Sequence, residues 1–264
     1  MRILNFLFSR SKQEQDKPIR DKLKTRKDFE RVLAEDLDIM ETTKARMDTA
    51  KNINLYMYRS LSYSYILILQ SKYSVDAKID ELCDIYIKSM HYFLQAFNKR
   101  NPIYADILNY VSLGVLLNIP DDNFRQLIDY VKQMDKQAKP SGWTPDLLLW
   151  FMLNSRMKEQ EKQKYAETLA YPRLYNGLYK VIQAPNAAAA KDALNKYLDR
   201  WYNLNSNAPW YNSHLKDNSY RGYWAWEVAA VAKIMHIDDS DLKNNQYYPY
   251  DMVHWADNET TAKE

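Results

Sequence analysis

The chain has 264 residues, 46% hydrophobic and 27% charged, enough to bury the core of one large helical domain or two small ones and ill suited to disorder. Four glycines (Gly114, Gly142, Gly177 and Gly222) are too few for a turn-rich β-sandwich, and a lone cysteine, Cys83, excludes an internal disulfide and a cysteine-headed zinc site. The net charge of +3 is uneven: the first thirty residues hold nine basic and five acidic side chains, while residues 236–264 hold two basic and seven acidic ones.

Residues 3–8 are apolar and follow Arg2, but the run is shorter than a secretory signal core and lacks a small-residue cleavage site. Residues 12–27 are polar, so a loosely ordered segment is expected over 1–19. From Asp28 the spacing of Phe29, Val32, Leu33, Leu37 and Met40 predicts an amphipathic helix. A second follows through Leu55, Leu61, Tyr65 and Ile68; its apolar run at 63–69 is far short of the ~20 residues a spanning helix needs. A third helix is expected over 76–97 on Ile79, Leu82, Tyr86, Met90 and Phe93, with Cys83 read as a buried structural thiol. Pro102 opens a fourth through Ile107, Leu108, Val111 and Val115, and Asp121 and Asp122 suit the N-cap of a fifth.

The stretch 136–142, with two lysines, Pro140 and Gly142, is the expected boundary between an N-terminal helical domain, 20–139, and a C-terminal one, 140–264. Beyond it, Thr144, Pro145 and Asp146 have the composition of a helix start: a hydroxyl cap, Pro in the first turn and an acid favoured by the dipole. Pro172 and Gly177 punctuate the next segment, Asn186 caps a helix carrying Leu194, Tyr197, Leu198 and Trp201, and Tyr220 is expected to open the last substantial helix. A shift of 118 residues lays Ile119 and Asp121 over Ile237 and Asp239 with their apolar flanks in register, an echo that raises a duplicated helical unit. The fold class expected is all-α, a multi-helix orthogonal or antiparallel bundle in two helical halves.

The chemistry-bearing residues do not compose a catalytic motif. No phosphate loop, dinucleotide fingerprint or His-Glu-x-x-His pattern occurs, so no cofactor and no metal are expected. Asp251 and His254 share a helical spacing but supply two ligands where zinc takes three or four. Glu227, inside an apolar helix, is either a general base with a raised pKa or a carboxylate anchored by Arg221, Lys233 or tyrosine hydroxyls; the anchor is favoured because no nucleophile accompanies it. Twenty-two tyrosines and seven tryptophans suit a protein-contact surface as well as a polar-edged core, with Trp210, Tyr211 and residues 247–250 set between helices where they can be presented outward.

Residues 220–255 carry three specific blocks: Gly222-Tyr223-Trp224 with Trp226-Glu227, then Ile237-Asp238-Asp239-Ser240, then Tyr248-Pro249-Tyr250-Asp251. In their order and spacing they resemble the C-terminal domain of the PoNi family, immunity proteins paired with PoNe-type polymorphic nuclease toxins. Lys72-Tyr73-Ser74 is similar to an element of that family's N-terminal domain, although Val75 and Asp76 stand where a glycine tends to follow. The resemblance implies a cytoplasmic, non-catalytic protein of bacterial competition that binds and blocks a DNase toxin, a secretion-system effector. It implies neither direct nucleic-acid binding nor stable membrane association, and it leaves the oligomeric state open. The alternatives are a small helical hydrolase using Glu227, Asp238, Asp239 or His254, and a scaffold for a non-toxin protein. Toxin contacts are expected at Asp238, Asp239, Asp241, Tyr247, Tyr248, Tyr250 and Asp251. Tyr223, Trp224, Trp226, Glu227 and Pro249 are expected to be structural.

Overall fold

A computed structural model describes residues 18–96, 103–136, 143–216 and 218–255. Among them are ten α-helices, three short 3-10 turns and no strand; the one β feature is an isolated bridge between Asp146 and Thr168. The fold is all-α, as the periodicity predicts. The chain divides into two compact units, Met1–Phe97 with Asn212–Tyr223, and Asn98–Tyr211 with Trp224–Glu264. The apolar N-terminal run and the 137–142 part of the expected boundary lie outside the described residues.

The first unit is built on α1 (Arg26–Thr49), α2 (Leu55–Val75) and α3 (Ile79–Ala96), with α2 packed along both of the others. Thr25 starts α1 with a reciprocal capping box: its hydroxyl accepts from the Asp28 amide, and the Asp28 carboxylate accepts from the Thr25 amide at 3.0 Å. Those hydrogen bonds to Thr25 hold the Asp28 carboxyl below its ordinary pKa. Asn54 caps α2 by accepting from the Met57 amide at 3.1 Å. Leu33, Met40, Leu61, Tyr65 and Ile68 form one buried cluster between α1 and α2. Ser89 on α3 donates to the carbonyl of Ser62 on α2 at 2.7 Å, a buried tie between two helices that otherwise meet through apolar side chains. Cys83 differs from its expected burial: it is intermediate in exposure because it lies beside, rather than on, the stripe of Ile79, Leu82 and Tyr86.

Asn212–Tyr223 belongs to this unit although some 115 residues separate it from α3. Arg221 clasps Asp36 of α1 through two bonds of 2.6 and 2.9 Å, both side chains under 10% exposed. Ser74 of α2 donates to the Arg221 carbonyl at 2.7 Å, and the Tyr220 hydroxyl donates to Asp21. Burial raises the Asp21 and Asp36 carboxyls above their ordinary values even with these partners in place.

The second unit holds α4 (Tyr104–Leu116), α5 (Asp121–Lys136), α6 (Leu147–Asn154), α7 (Pro172–Ile182), α8 (Ala187–Leu204), α9 (Trp226–Met235) and α10 (Tyr250–His254). Its hub is α9, which packs against α4, α6, α7, α8 and α10. Small side chains permit this: Val228, Ala229, Ala230, Val231 and Ala232 are all buried, leaving room for neighbours on every side. The carbonyl of Leu116, at the end of α4, accepts from Lys233 and from the Trp255 indole, each at 2.9 Å.

Several local expectations are corrected. The cap of α6 is Asp146, whose carboxylate accepts from the Leu149 amide at 2.8 Å and also holds Tyr104 and the Ala170 amide, so Thr144 is not the cap. Pro172 starts a helix as its first residue, where a missing amide costs nothing, and Gly177 lies inside that helix. A Cβ at Gly177 would sit 2.7 Å from the Tyr197 ring, so glycine is required by close packing and does not mark a break. The last long helix begins at Trp226, six residues later than expected, because 220–225 lie outside any helix, with Tyr220, Tyr223 and Trp224 turned into the interior.

The 118-residue echo has a local counterpart. Both α4 and α9 are followed by a left-handed residue, Asn118 at φ 46° and His236 at φ 51°. The next amides, of Ile119 and Ile237, bond back to the carbonyls of Gly114 and Ala232. The paired positions share one helix-ending motif, in which the left-handed residue lets later amides satisfy the last carbonyls.

Candidate protein-contact face

The expected contact residues fall in residues 236–255 of the second unit, a segment held from inside by one carboxylate. Asp239, 2% exposed, accepts from the Tyr248 hydroxyl at 2.6 Å and pairs with His254 Nε2 at 2.8 Å. A buried carboxylate needs such partners, and here they fix both ends of a ten-residue loop. Tyr248 is itself 2% exposed and Pro249 is buried. Asp239 and Tyr248 are therefore interior, unlike the outward placement expected for them.

The outward side is carried by Asp238, Asp241 and Asp251, all exposed, with Tyr247 and Tyr250 half-buried. Lys191 of α8 bridges Asp238 and Asp241 at 2.9 and 3.1 Å, and Asn195, one turn on, donates to Asp241 at 3.2 Å. Hydrogen bonds from Lys191 hold both carboxyls below their ordinary pKa and raise that of Lys191, so all three stay charged at neutral pH. The sequence reading missed Lys191 and Asn195. Their i, i+4 spacing was a usable signal only with the knowledge that α8 packs beside this loop.

Further along α8 the surface turns aromatic. The Tyr202 ring stacks on Tyr247 at 5.3 Å and on Tyr211 at 4.5 Å, and Trp201 stacks on Trp210 at 5.5 Å. Tyr202, Trp210, Tyr211 and Tyr247 are each half-buried, so the expectation that Trp210, Tyr211 and Tyr247 lie near the surface holds for their partly exposed rings. Positions 191, 195 and 202 follow one stripe of α8, which puts the acidic and aromatic parts roughly 16 Å apart along it. That separation fits within one standard protein interface, and half-buried aromatics beside charged groups are the usual composition of its centre and rim.

The hydrolase alternative fares differently. Glu227 is intermediate in exposure, and its Oε1 accepts from the Trp201 indole at 2.6 Å. Arg221 is engaged with Asp36, and Lys233 with the Leu116 carbonyl, so neither expected cation is the anchor. Burial raises the Glu227 carboxyl, the Trp201 bond opposing it, and burial also raises the hydroxyls of Tyr175 and Tyr197, which feel its charge. Glu227, Asp238 and Asp239 each answer to a different partner, Trp201, Lys191 and the Tyr248–His254 pair. The Asp251–His254 half-site gains no third ligand: among the described residues no three His, Cys, Asp or Glu side chains group for a metal, and His254 Nε2 faces Asp239. Tyr223, Trp224 and Trp226 are at most 6% exposed.

Compared with known proteins, residues 11–129 match the family model for the N-terminal domain of PoNe immunity proteins (PoNi), and residues 144–252 match the model for their C-terminal domain. Among solved structures, the chain is similar to protein PA2201 from Pseudomonas aeruginosa, at 18% identity and a TM-score of 0.69, with 93% of each chain covered. At that identity the likeness shows the fold alone. No curated protein sequence matches the chain.

Proposed function

The chain belongs to the PoNi family of immunity proteins for PoNe nuclease toxins, and on that premise we propose that it neutralises one cognate DNase toxin by forming a stoichiometric complex that occludes the active or DNA-binding site. The family is one of non-enzymatic toxin inhibitors, so its action is binding. The observation that carries this reading is the match of both family domains in order along the chain.

The surface we assign to occlusion is the exposed acidic edge of Asp238, Asp241 and Asp251 with the half-buried aromatics beside it. A nuclease must present cations to the phosphate backbone, and fixed carboxylates are complementary to them. The chain's overall charge of +3 does not supply that complementarity, so it has to be local. Such an inhibitor acts where the DNA is, which assigns it to the cytoplasm of the producing cell or its kin. Among the described residues no helix is long and apolar enough to cross a membrane.

The test is co-expression with the cognate nuclease toxin, sought among the reading frames next to this chain's gene. Protection of the host and co-purification of a complex are expected. An unprotected host, with no complex formed by the purified proteins, would sink the proposal. Within a complex that does form, Asp238→Lys combined with Asp251→Lys is expected to slow association and to reduce its salt dependence.

A further inference from the structure

The first unit carries a second surface, on a different observation. Between Glu41 and Ser60 no residue is fully buried: Met47 packs at the edge of the α1–α2 cluster and Tyr58 against Tyr92, and the rest of the last turns of α1, the loop and the first turns of α2 is more exposed. All six residues of α1 that do reach the interior lie at or before Met40, and those of α2 begin at Leu61. Helices of this length draw most of their stability from burying an apolar face. Here two helix ends continue past the last fully buried residues, held by Met47 at the core edge and by Asn54, which caps the second helix by accepting from the Met57 amide at 3.1 Å.

The tip is nevertheless not polar. Ile53 is 45% exposed, Leu55 52% and Tyr56 80%; Ile39 and Tyr63, just below it, are 50% and 52%. Thr43 and Ser60, 3.4 Å apart, fix the pairing of the two helices between these two groups. Five of the nine large hydrophobic side chains exposed among the described residues thus fall within 39–63. Scattered exposed apolar residues need no explanation, but a concentration of them does. Twenty residues is also about the size of one side of a standard interface.

Charge decides between occupants. Residues 41–60 hold Lys44, Arg46, Lys51 and Arg59 against Glu41 and Asp48, a net +2. A two-fold dimer through this tip would set +2 against +2, because a two-fold contact joins a patch to itself. The cationic DNA-binding cleft of a nuclease is excluded as occupant for the same reason. We propose that the α1–α2 tip docks on the cognate toxin itself, on an apolar face bearing carboxylates and lying outside its DNA-binding cleft. This rests on the reading of the chain as a toxin inhibitor and adds where part of the specificity resides. Because Ile53, Leu55 and Tyr56 stay exposed and outside the core, these side chains can vary to match one toxin at little cost in stability.

The experiment measures binding of the catalytically inactivated cognate toxin to the full-length chain and to two double variants. Leu55→Ser with Tyr56→Ser is expected to weaken binding by at least about 30-fold, with an unchanged thermal midpoint. Arg46→Glu with Lys51→Glu is expected to weaken it as well. If the full-length chain itself does not bind the toxin, the inhibitor reading falls. If it binds and the apolar double variant binds within about threefold of it, the tip is not the contact and this inference alone is overturned. Tighter binding by the charge-reversed variant would overturn the acidic face. Concentration-dependent dimerisation abolished by the apolar double variant, seen in sedimentation, would make the tip a contact between copies and overturn the proposal.

Discussion

Residues 220–255 and residues 41–60 differ in what they bury. In the first, Tyr220, Tyr223, Trp224, Trp226, Asp239 and Tyr248 are each at most 6% exposed. In the second no side chain is fully buried, and the most covered, such as Met47 and Tyr58, only touch the core from its edge. The first segment carries the three blocks by which the family can be read from the sequence; the second lies within the matched N-terminal domain but supplies no such block, and the difference has a physical source. A tyrosine hydroxyl buried against Asp21 or Asp239 can be replaced only by another group that satisfies the same carboxylate. Such positions leave recognisable blocks in a sequence. A side chain such as Tyr56 has no comparable constraint from the fold, so a surface that must match one partner can be built there.

The contrast breaks most decisively at the buried ion pair. Arg221→Ala strands the Asp36 carboxylate inside the first unit, with an expected loss of about 3–5 kcal/mol in urea unfolding. Asp36→Leu combined with Arg221→Met is expected to recover most of it, since no charge is then left alone. Asp239→Ala comes next, at about 1–3 kcal/mol, because it leaves the Tyr248 hydroxyl without its acceptor and removes the partner of His254. Loss of the defined conformation of residues 236–255 is expected with it, seen as faster amide exchange confined to that loop.

Glu227→Gln should have a smaller effect and one that depends on pH. Burial raises the Glu227 carboxyl, so the folded chain holds that proton more tightly than the unfolded chain does. Its contribution therefore favours folding at low pH and is lost as pH rises through the folded pKa. The glutamine keeps an acceptor for the Trp201 indole and removes the titration. As pH rises above the ordinary carboxylate range, the variant's unfolding free energy is expected to fall less than the wild type's. At the weakest end, Leu55→Ser and Tyr56→Ser should each shift stability by no more than about 0.5 kcal/mol, since neither side chain packs in the core. A loss several times larger would show that the tip belongs to the fold after all.

The helical class, most helix positions, the cap at Asn186 and the blocks that point to the family were legible in the sequence alone, as was a helix start near Asp121, although Asp121 and Asp122 lie inside its first turn and not at the expected cap. These properties are local: an apolar stripe every three or four residues and a hydroxyl, amide or carboxylate at a helix start act within one or two turns, whatever the rest of the chain does. Other features needed tertiary structure. That Arg221 turns to Asp36 instead of Glu227, that Gly177 makes room for Tyr197, and that Lys191 bridges Asp238 and Asp241 are meetings between residues 20 to 185 positions apart. No periodicity encodes such distances. The same reason divided the expected contact residues. Asp238 and Asp239 are adjacent and chemically identical in sequence, yet one is 69% exposed on Lys191 and the other 2% exposed beneath Tyr248 and His254. Which of two neighbouring carboxylates faces a partner and which holds the loop is decided by what packs against each.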